Sequence, residues 1–374
     1  MTYALPLSAA DRWVKCPGSI ALSAKHPIDD ASPKRAEGTA AAWVGAQVLH
    51  GVCLVPGQLA PNGVAVTNEM LDGAELYQDA VRRVLAPEDM RIEEHLRAPS
   101  IHAEAMGDAD VWGVEPDTGV IHVFEYKYGR RFVDEFENWQ GAGYAIAAFD
   151  SLAHPDYKNE QAQVVEFTVV QPRYFGPHPQ VRTWRTSMVA LRGMRNQLAH
   201  AAEVAQKPDA PTRVGDYCRI CPARHVCVTL QTGATAEAEY TGEATPFALD
   251  VHQASTELRL LQKAKAIIEA REDGLEIEIT AALTRGERSA HFQLSRSTPR
   301  EAWESSKVDS VLGMAELLGV SVTKPPSLIT PNQAKKAGLP ADLVDSATFR
   351  PPGELKLAPI DTNAARKAFG GNTQ

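Results

Sequence analysis

Asp110, Glu125 and Lys127 are the residues of this 374-residue sequence whose types and spacing suit hydrolytic chemistry. Asp110 closes Gly107-Asp108-Ala109-Asp110, and Glu125-Tyr126-Lys127 ends a β-branched and aromatic run. In a strand, residues i and i+2 point to one face. Glu125 and Lys127 therefore share a side, and Asp110 can meet them from an adjacent strand. Two carboxylates so placed suit a hard divalent cation such as Mg²⁺, bound through oxygen. Such an ion lowers the pKa of bound water and stabilises charge on a phosphoryl oxygen. Lys127 suits orientation of the water or stabilisation of the developing charge. The pattern is weak alone, because Glu-x-Lys pairs are common on strand surfaces. Gln140 and Tyr144, at i and i+4, share one helical face and suit contacts to a nucleic-acid phosphate, base or sugar. The plainer alternative is a packed tyrosine and a solvated glutamine.

The cysteines form a second pattern. Cys16 stands near the start, and Cys218, Cys221 and Cys227 follow two hundred residues later as C-x2-C-x5-C. Cys16, followed by Pro17, is the natural fourth ligand for the late three. Four thiolates suit tetrahedral zinc or a [4Fe–4S] cluster, and spacing does not decide between them. His225 lies inside the late group, so a local Cys3His zinc site competes. Cys53, in GVCLVPG, is expected to be buried and inert, because free cysteine behaves as a small hydrophobe.

Several elements must position these groups. Residues 36–50 have helix-forming composition with Gly51 as a stop, and 65–85 form a second helix ahead of Pro87. Strands are expected near 92–96, 103–114 and 120–126, the last two joined by the turn Glu115-Pro116-Asp117-Thr118-Gly119. A helix over 137–149, strands over 164–171 and 180–187 and a helix over 189–206 complete an α/β pattern, with Asp110 and Glu125 on neighbouring strands. Residues 231–246 lack apolar periodicity and read as a linker. Residues 248–284 carry apolar side chains at helical spacing, with Gly286 as a stop. Beyond them come a strand-like stretch at 291–296 and a short helix near 308–318. The domain reading is thus a core over 1–230, a linker over 231–246 and a mainly helical, α+β extension over 247–374.

Composition sets wider bounds. At 44% hydrophobic and 23% charged the chain is ordinary globular protein. No apolar run reaches the roughly 18 residues of a membrane span, and the N-terminus lacks the pattern of a signal peptide. A cytoplasmic setting and no membrane partner are expected. In that setting thiols are metal ligands or buried fillers more often than disulfides. The net charge of −9 disfavours unspecific coating of nucleic acid, but Lys127-Tyr128-Gly129-Arg130-Arg131 is a local basic concentration.

Taken in order, these residues resemble the iron–sulfur branch of the PD-(D/E)xK superfamily, the RecB-like nucleases of Cas4 and AddB type. Within it the chain is most similar to a phage and prophage family, DUF2800. The resemblance rests on Leu7-Ser8-Ala9-Ala10-Asp11-Arg12-Trp13 leading to Cys16-Pro17-Gly18-Ser19, and on Ala36-Glu37-Gly38-Thr39-Ala40-Ala41. It continues through Gly107-Asp108-Ala109-Asp110, Glu125-Tyr126-Lys127-Tyr128-Gly129, Gln140-x3-Tyr144, Gln171-Pro172-Arg173 and the late cysteines. In the tail it includes Arg300-x2-Trp303 and Ile329-Thr330-Pro331-Asn332-Gln333-Ala334.

The resemblance implies a restriction-endonuclease-like core, a central mixed sheet flanked by helices, closed by an iron–sulfur staple. Its implied activity is metal-dependent DNA exonuclease or flap cleavage in phage recombination or replication, in the bacterial host cytoplasm. Asp110 and Glu125 would bind Mg²⁺ or Mn²⁺, Lys127 would be the catalytic lysine, and Gln140 and Tyr144 would contact DNA. Cys16, Cys218, Cys221 and Cys227 would hold the [4Fe–4S] cluster. Implied partners are DNA ends or single strands and a single-strand annealing recombination protein. One position departs from the pattern. Relatives carry a metal-binding histidine in the first helix, as EGTAAH, where this chain has Ala42. His50 lies about 12 Å further along a helix at 1.5 Å per residue and is a poor substitute, which leaves weakened metal binding, an oxygen from Glu37 or a histidine from elsewhere, such as His102, as the alternatives. The departure supports an alternative, an impaired nuclease fold that binds DNA or a recombination partner without cutting. A zinc-stabilised structural module is a further alternative.

Overall fold

The computed structural model describes residues 3–26, 33–152, 160–161, 163–239 and 250–294. The chain divides into two compact units, and every described residue lies in the first, within Met1–Leu294. The expected helix at 308–318 and the tail motifs at 300–303 and 329–334 lie outside the described residues. Residues 291–294 of the expected strand carry no strand pairing.

The short strand β1 (Leu5–Pro6) is followed by helices α1 (Ala10–Lys15), α2 (Ser19–Lys25), α3 (Pro33–Leu49) and α4 (Asn68–Arg82). Strands β2 (Arg91–Arg97), β3 (Ala105–Val114) and β4 (Ile121–Tyr126) then run consecutively. Helix α5 (Trp139–Ser151), strands β5 (Val164–Val170) and β6 (Val181–Ser187) and helix α6 (Met188–Ala205) follow. The last described helices are α7 (Val228–Glu239) and α8 (Val251–Thr284). Side-chain oxygens start several of them, as cap positions favour. Thr67 accepts from Met70 N–H, Asn138 from Gly141 N–H and Ser187 from Ala190 N–H.

The fold is α/β, a mixed sheet flanked by helices. β3 pairs antiparallel with β2 on one edge and with β4 on the other, and β4 pairs parallel with β5, which pairs antiparallel with β6. β1 runs parallel to the start of β3, with Leu5 opposite Ala105. Two apolar layers cover the sheet. Leu7, Trp13, Tyr144, Ile146 and Leu198 pack with Ile121, Val123 and Phe167, whereas Val44, Met70, Tyr77 and Val81 pack with Val111 and Phe124. β4 is buried along its whole length, as expected of a strand covered by helices on both faces.

Two expectations change. Residues 231–239 of the expected linker are helical, with Leu230 and Ala234 buried beside Cys16 and Cys218. Alanine and threonine fill that helix, so its apolar stripe is too narrow to show as periodicity. Cys53 is exposed, not buried. It lies in the loop after α3, where Gly51 turns the chain at φ +78° and the neighbouring Leu54 takes the buried position.

Candidate functional site

The acidic residues meet where the β3–β4 ladder ends. Pairing runs from Val114–Ile121 to Val111–Phe124 and stops. Beyond it the Asp110 carboxylate accepts the Tyr126 N–H at 2.7 Å, a side chain taking the place of a ladder carbonyl. Glu125 is 4% exposed and forms an ion pair with Lys127. Lys127 N–H donates to the Val170 carbonyl, which ties this corner to β5. The three residues expected from the sequence therefore do come together.

Their electrostatics follow from that crowding. Loss of hydration, then the adjacent Glu125 charge, raises the Asp110 pKa well above the usual carboxylate range, against the pull of Lys127 and the Tyr126 N–H. For Lys127, desolvation opposes the charged amine, but Glu125 and Asp110 outweigh it and the pKa rises. The corner thus holds a charged ammonium between two carboxylates, one of them eager for a proton or another cation.

Two further residues belong here that the sequence did not single out. Glu93 occupies β2 at the register position opposite Asp110, between the pairs Ile92–Val111 and Glu94–Ala109. It has φ +52°, a left-handed backbone rare for a residue with a side chain. Lost hydration, then Asp108 and Glu125, raises its pKa. Tyr77, on α4, stacks on Tyr126 with ring centroids 4.8 Å apart. It is 2% exposed, and its hydroxyl has no hydrogen-bond partner among the described residues. Burial, then the charges of Asp110, Glu125 and Glu93, pushes its pKa well up. Neither residue belongs to a short motif. Only β2–β3 register and helix–sheet packing reveal them.

Other expected residues have different surroundings. Tyr144 is 1% exposed and its hydroxyl donates to the Asp108 carbonyl at 2.8 Å. It props the strand that carries Asp110, lying against Gly107 where a Cβ would stand 2.8 Å from its oxygen. Its place is inside the protein. Gln140 is half-buried in the first turn of α5. Glu37 pairs with Arg173 at 2.9 Å, and Arg173 also pairs with Glu69, so Glu37 helps to bind α3 to α4. Ala42 is half-buried on α3. That helix passes beside the site, because a Cβ at Gly45 would stand 3.3 Å from the Tyr77 ring. His50 is exposed at the end of α3, and His102 accepts Glu104 N–H in the β2–β3 turn. His95, on β2, has its Nδ1 2.8 Å from Asp108 Oδ1.

The four cysteines also come together. Cys16, Cys218, Cys221 and Cys227 line one small cavity with Arg12, Ser19 and Arg224. The Arg213 N–H donates to Cys16 Sγ at 3.3 Å and the Gly215 N–H to Cys218 Sγ at 3.4 Å. Gly18 admits the close approach, since a Cβ there would stand 2.4 Å from the Ala210 carbonyl oxygen. Burial raises the Cys16 thiol pKa and pushes that of Cys218 up to about 11. Arg12 and Arg224 are buried, and neither pairs with a carboxylate among the described residues. Ser19 Oγ and Arg224 Nε lack hydrogen-bond partners among the described residues. His225 is turned instead to the Pro222 carbonyl and Glu278.

Among the described residues no three histidine, cysteine, aspartate or glutamate side chains form a ready-made site for a single metal ion. Magnesium is commonly held by only one or two carboxylates, with water and substrate phosphate completing its shell. Asp110 and Glu125 fit that donor set. At the other site, four thiols, two unneutralised guanidinium groups and two orphaned polar atoms fit an anionic thiolate-bound centre. Among the described residues no helix is long and apolar enough to cross a membrane. The family described as "Protein of unknown function (DUF2800)" matches residues 4–365, and the chain belongs to that family.

Proposed function

We propose that this chain is a metal-dependent DNA nuclease, an exonuclease or flap-trimming enzyme of recombination or replication, on a PD-(D/E)xK-type core. The observation that carries this reading is the corner where buried Glu125 pairs with Lys127 and Asp110 is braced by the Tyr126 N–H. The run α3, α4, β2, β3, β4, α5 and β5 within the element order agrees with it. Asp110 and Glu125 would hold Mg²⁺ or Mn²⁺, which supplies Lewis acidity and lowers the pKa of water. Lys127 stays protonated and presents positive charge where a phosphodiester gains negative charge. Tyr144 and Gly107 set the position of the Asp110 strand. Cys16, Cys218, Cys221 and Cys227 would hold a [4Fe–4S] cluster whose negative charge Arg12 and Arg224 offset.

The test is digestion of end-labelled DNA with Mg²⁺ or Mn²⁺ by the native chain, Ala42→His and Glu125→Ala. The native chain is expected to cut, Ala42→His to cut faster, and Glu125→Ala to lose about a hundredfold or more. If the native chain and Ala42→His are as inert as Glu125→Ala, the nuclease reading fails. DNA binding that survives in that case supports the second reading, a non-cleaving DNA-holding protein, which Ala42 favours.

A further inference from the structure

β4 and β5 run parallel, so the loops that follow them leave the same end of the sheet, beside Glu125 and Lys127. Ligands of open α/β sheets sit at the carboxyl ends of their strands. Here one buried side chain joins the two loops. The Gln171 amide donates to the Gly129 and Arg131 carbonyls, and its Oε1 accepts from Val133 N–H and from Arg182 at 3.0 Å. Arg182 is a buried pillar between them. It pairs with Glu135 and lies 4.8 Å from the Phe132 ring and 5.4 Å from the Tyr174 ring.

On this support stand aromatic rings, of which Phe175 and His178 are exposed. Phe132 is half-buried, with centroids 4.8 Å from His178 and 5.1 Å from Tyr174. Phe175, at the tip of the second loop, is 79% exposed. The loop is stiff, carrying Pro172, Pro177 and Pro179. Tyr174 folds back over Gly176, where a Cβ would stand 2.1 Å from its hydroxyl, so Phe175 is left pointing out. Arg130 and Arg131 are exposed on the first loop and pair with no carboxylate among the described residues. Glu135, on the same loop, pairs with Arg182. Exposed rings next to free guanidinium groups, on a rigid mount, combine base stacking with phosphate attraction. Paired bases in a duplex hide their faces, so such a surface selects unpaired strands.

We propose that the loops Lys127–Val133 and Gln171–Gln180 form a binding surface for single-stranded DNA, with bases stacked on Phe175 and the Phe132–His178 pair and phosphates on Arg130 and Arg131. The inference rests on the DNA reading of the neighbouring acidic corner, and it assigns the surface and the residues that would hold a single strand.

The test is fluorescence anisotropy of labelled oligothymidylate and of a blunt duplex, with the full chain in EDTA so that cutting does not intervene. Phe175→Ala is expected to weaken single-strand binding about tenfold, within the range of lost base stacking, and duplex binding less than twofold. Phe175→Trp is expected to retain single-strand affinity. Replacing both Arg130 and Arg131 by Gln should lower the slope of log affinity against log salt by about 1.4, from about 0.7 per single-strand phosphate. Single-strand affinity unchanged in Phe175→Ala, or equal losses for both DNAs, would overturn the proposal. DNA cleavage together with such an unchanged affinity sinks the surface and leaves the nuclease reading standing. The expected binding pattern in a chain that cuts nothing does the reverse.

Discussion

Asp110 illustrates how this protein sets up its candidate site at the cost of stability. Its raised pKa means the folded chain holds a proton that the unfolded chain releases. Stability from this group is fully present below the ordinary carboxylate pKa, near 4, and falls as pH rises through the folded value. Asp110→Asn is therefore expected to stabilise the metal-free protein at neutral pH by about 1 kcal/mol, in the range typical of relaxing a functional site. Urea melts at a series of pH values would check this. A variant less stable than the native chain at pH 7, or an unchanged pH slope, would count against the electrostatic account. Glu93 shows a similar tension, with a left-handed backbone maintained opposite Asp110. Backbone strain of this kind persists where the surroundings over-determine it, and it clusters at functional sites. Asp110, Glu125 and Lys127 were legible in the sequence because strand alternation and a turn suffice to place them. Glu93 and Tyr77 were not, since their roles depend on which residues lie across a ladder or beneath a helix.

Among the elements, α8 shows what a helix can do away from the sheet. Most of its length is exposed, but Ile267 and Ala270 are buried against the cysteine region. Arg271 donates to the Arg224 and His225 carbonyls, and Arg219 pairs with Glu269 at 3.5 Å. Gly274 is the contact point, where a Cβ would stand 2.8 Å from the Arg224 side chain and 3.0 Å from His225 N. Gly274→Ala should then force the helix off the cysteine loop, costing about 1–3 kcal/mol, as overpacking does, despite alanine's better helix propensity. Hydrogen exchange would locate the loss in 215–227 and 264–278. A stabilised protein would show that the helix contact is loose. Helical spacing made α8 legible from Leu258 to Leu283, yet its docking side was hidden, because the buried positions are Ile267, Ala270 and Gly274 rather than the leucines. Leu258, Leu260 and Leu261 are exposed.

For the molecule as a whole, the cysteine cavity closes a long loop of chain, bringing Cys16 at the N-terminus to Cys218, Cys221 and Cys227. A group bound there only in the folded state adds stability by linkage, and thiols with raised pKa values must lose protons to bind it. Anaerobic purification is expected to give a brown protein with broad visible absorbance, as iron–sulfur ligation by four thiolates would. Cys16→Ser should lose that colour and melt at a lower temperature, by several degrees for a loss of about 2 kcal/mol. A colourless native protein with one zinc per chain would replace the cluster by zinc.

The sequence by itself determined the order of helices and strands from α3 to α6, the Asp110–Glu125–Lys127 set and the grouping of one early with three late cysteines. These are local facts: periodicity, turn chemistry and short spacing act over a few residues, and a family pattern extends them. Tertiary structure decided what depends on distant neighbours. It turned Tyr144 inward onto the Asp108 carbonyl, bound Glu37 to Arg173, exposed Cys53, and set Glu93 and Tyr77 at the acidic corner. It also brought the loops after β4 and β5 together through Gln171, which left Phe175 in the open. Burial and pKa are properties of an environment, and an environment exists only once separate segments of the chain have packed.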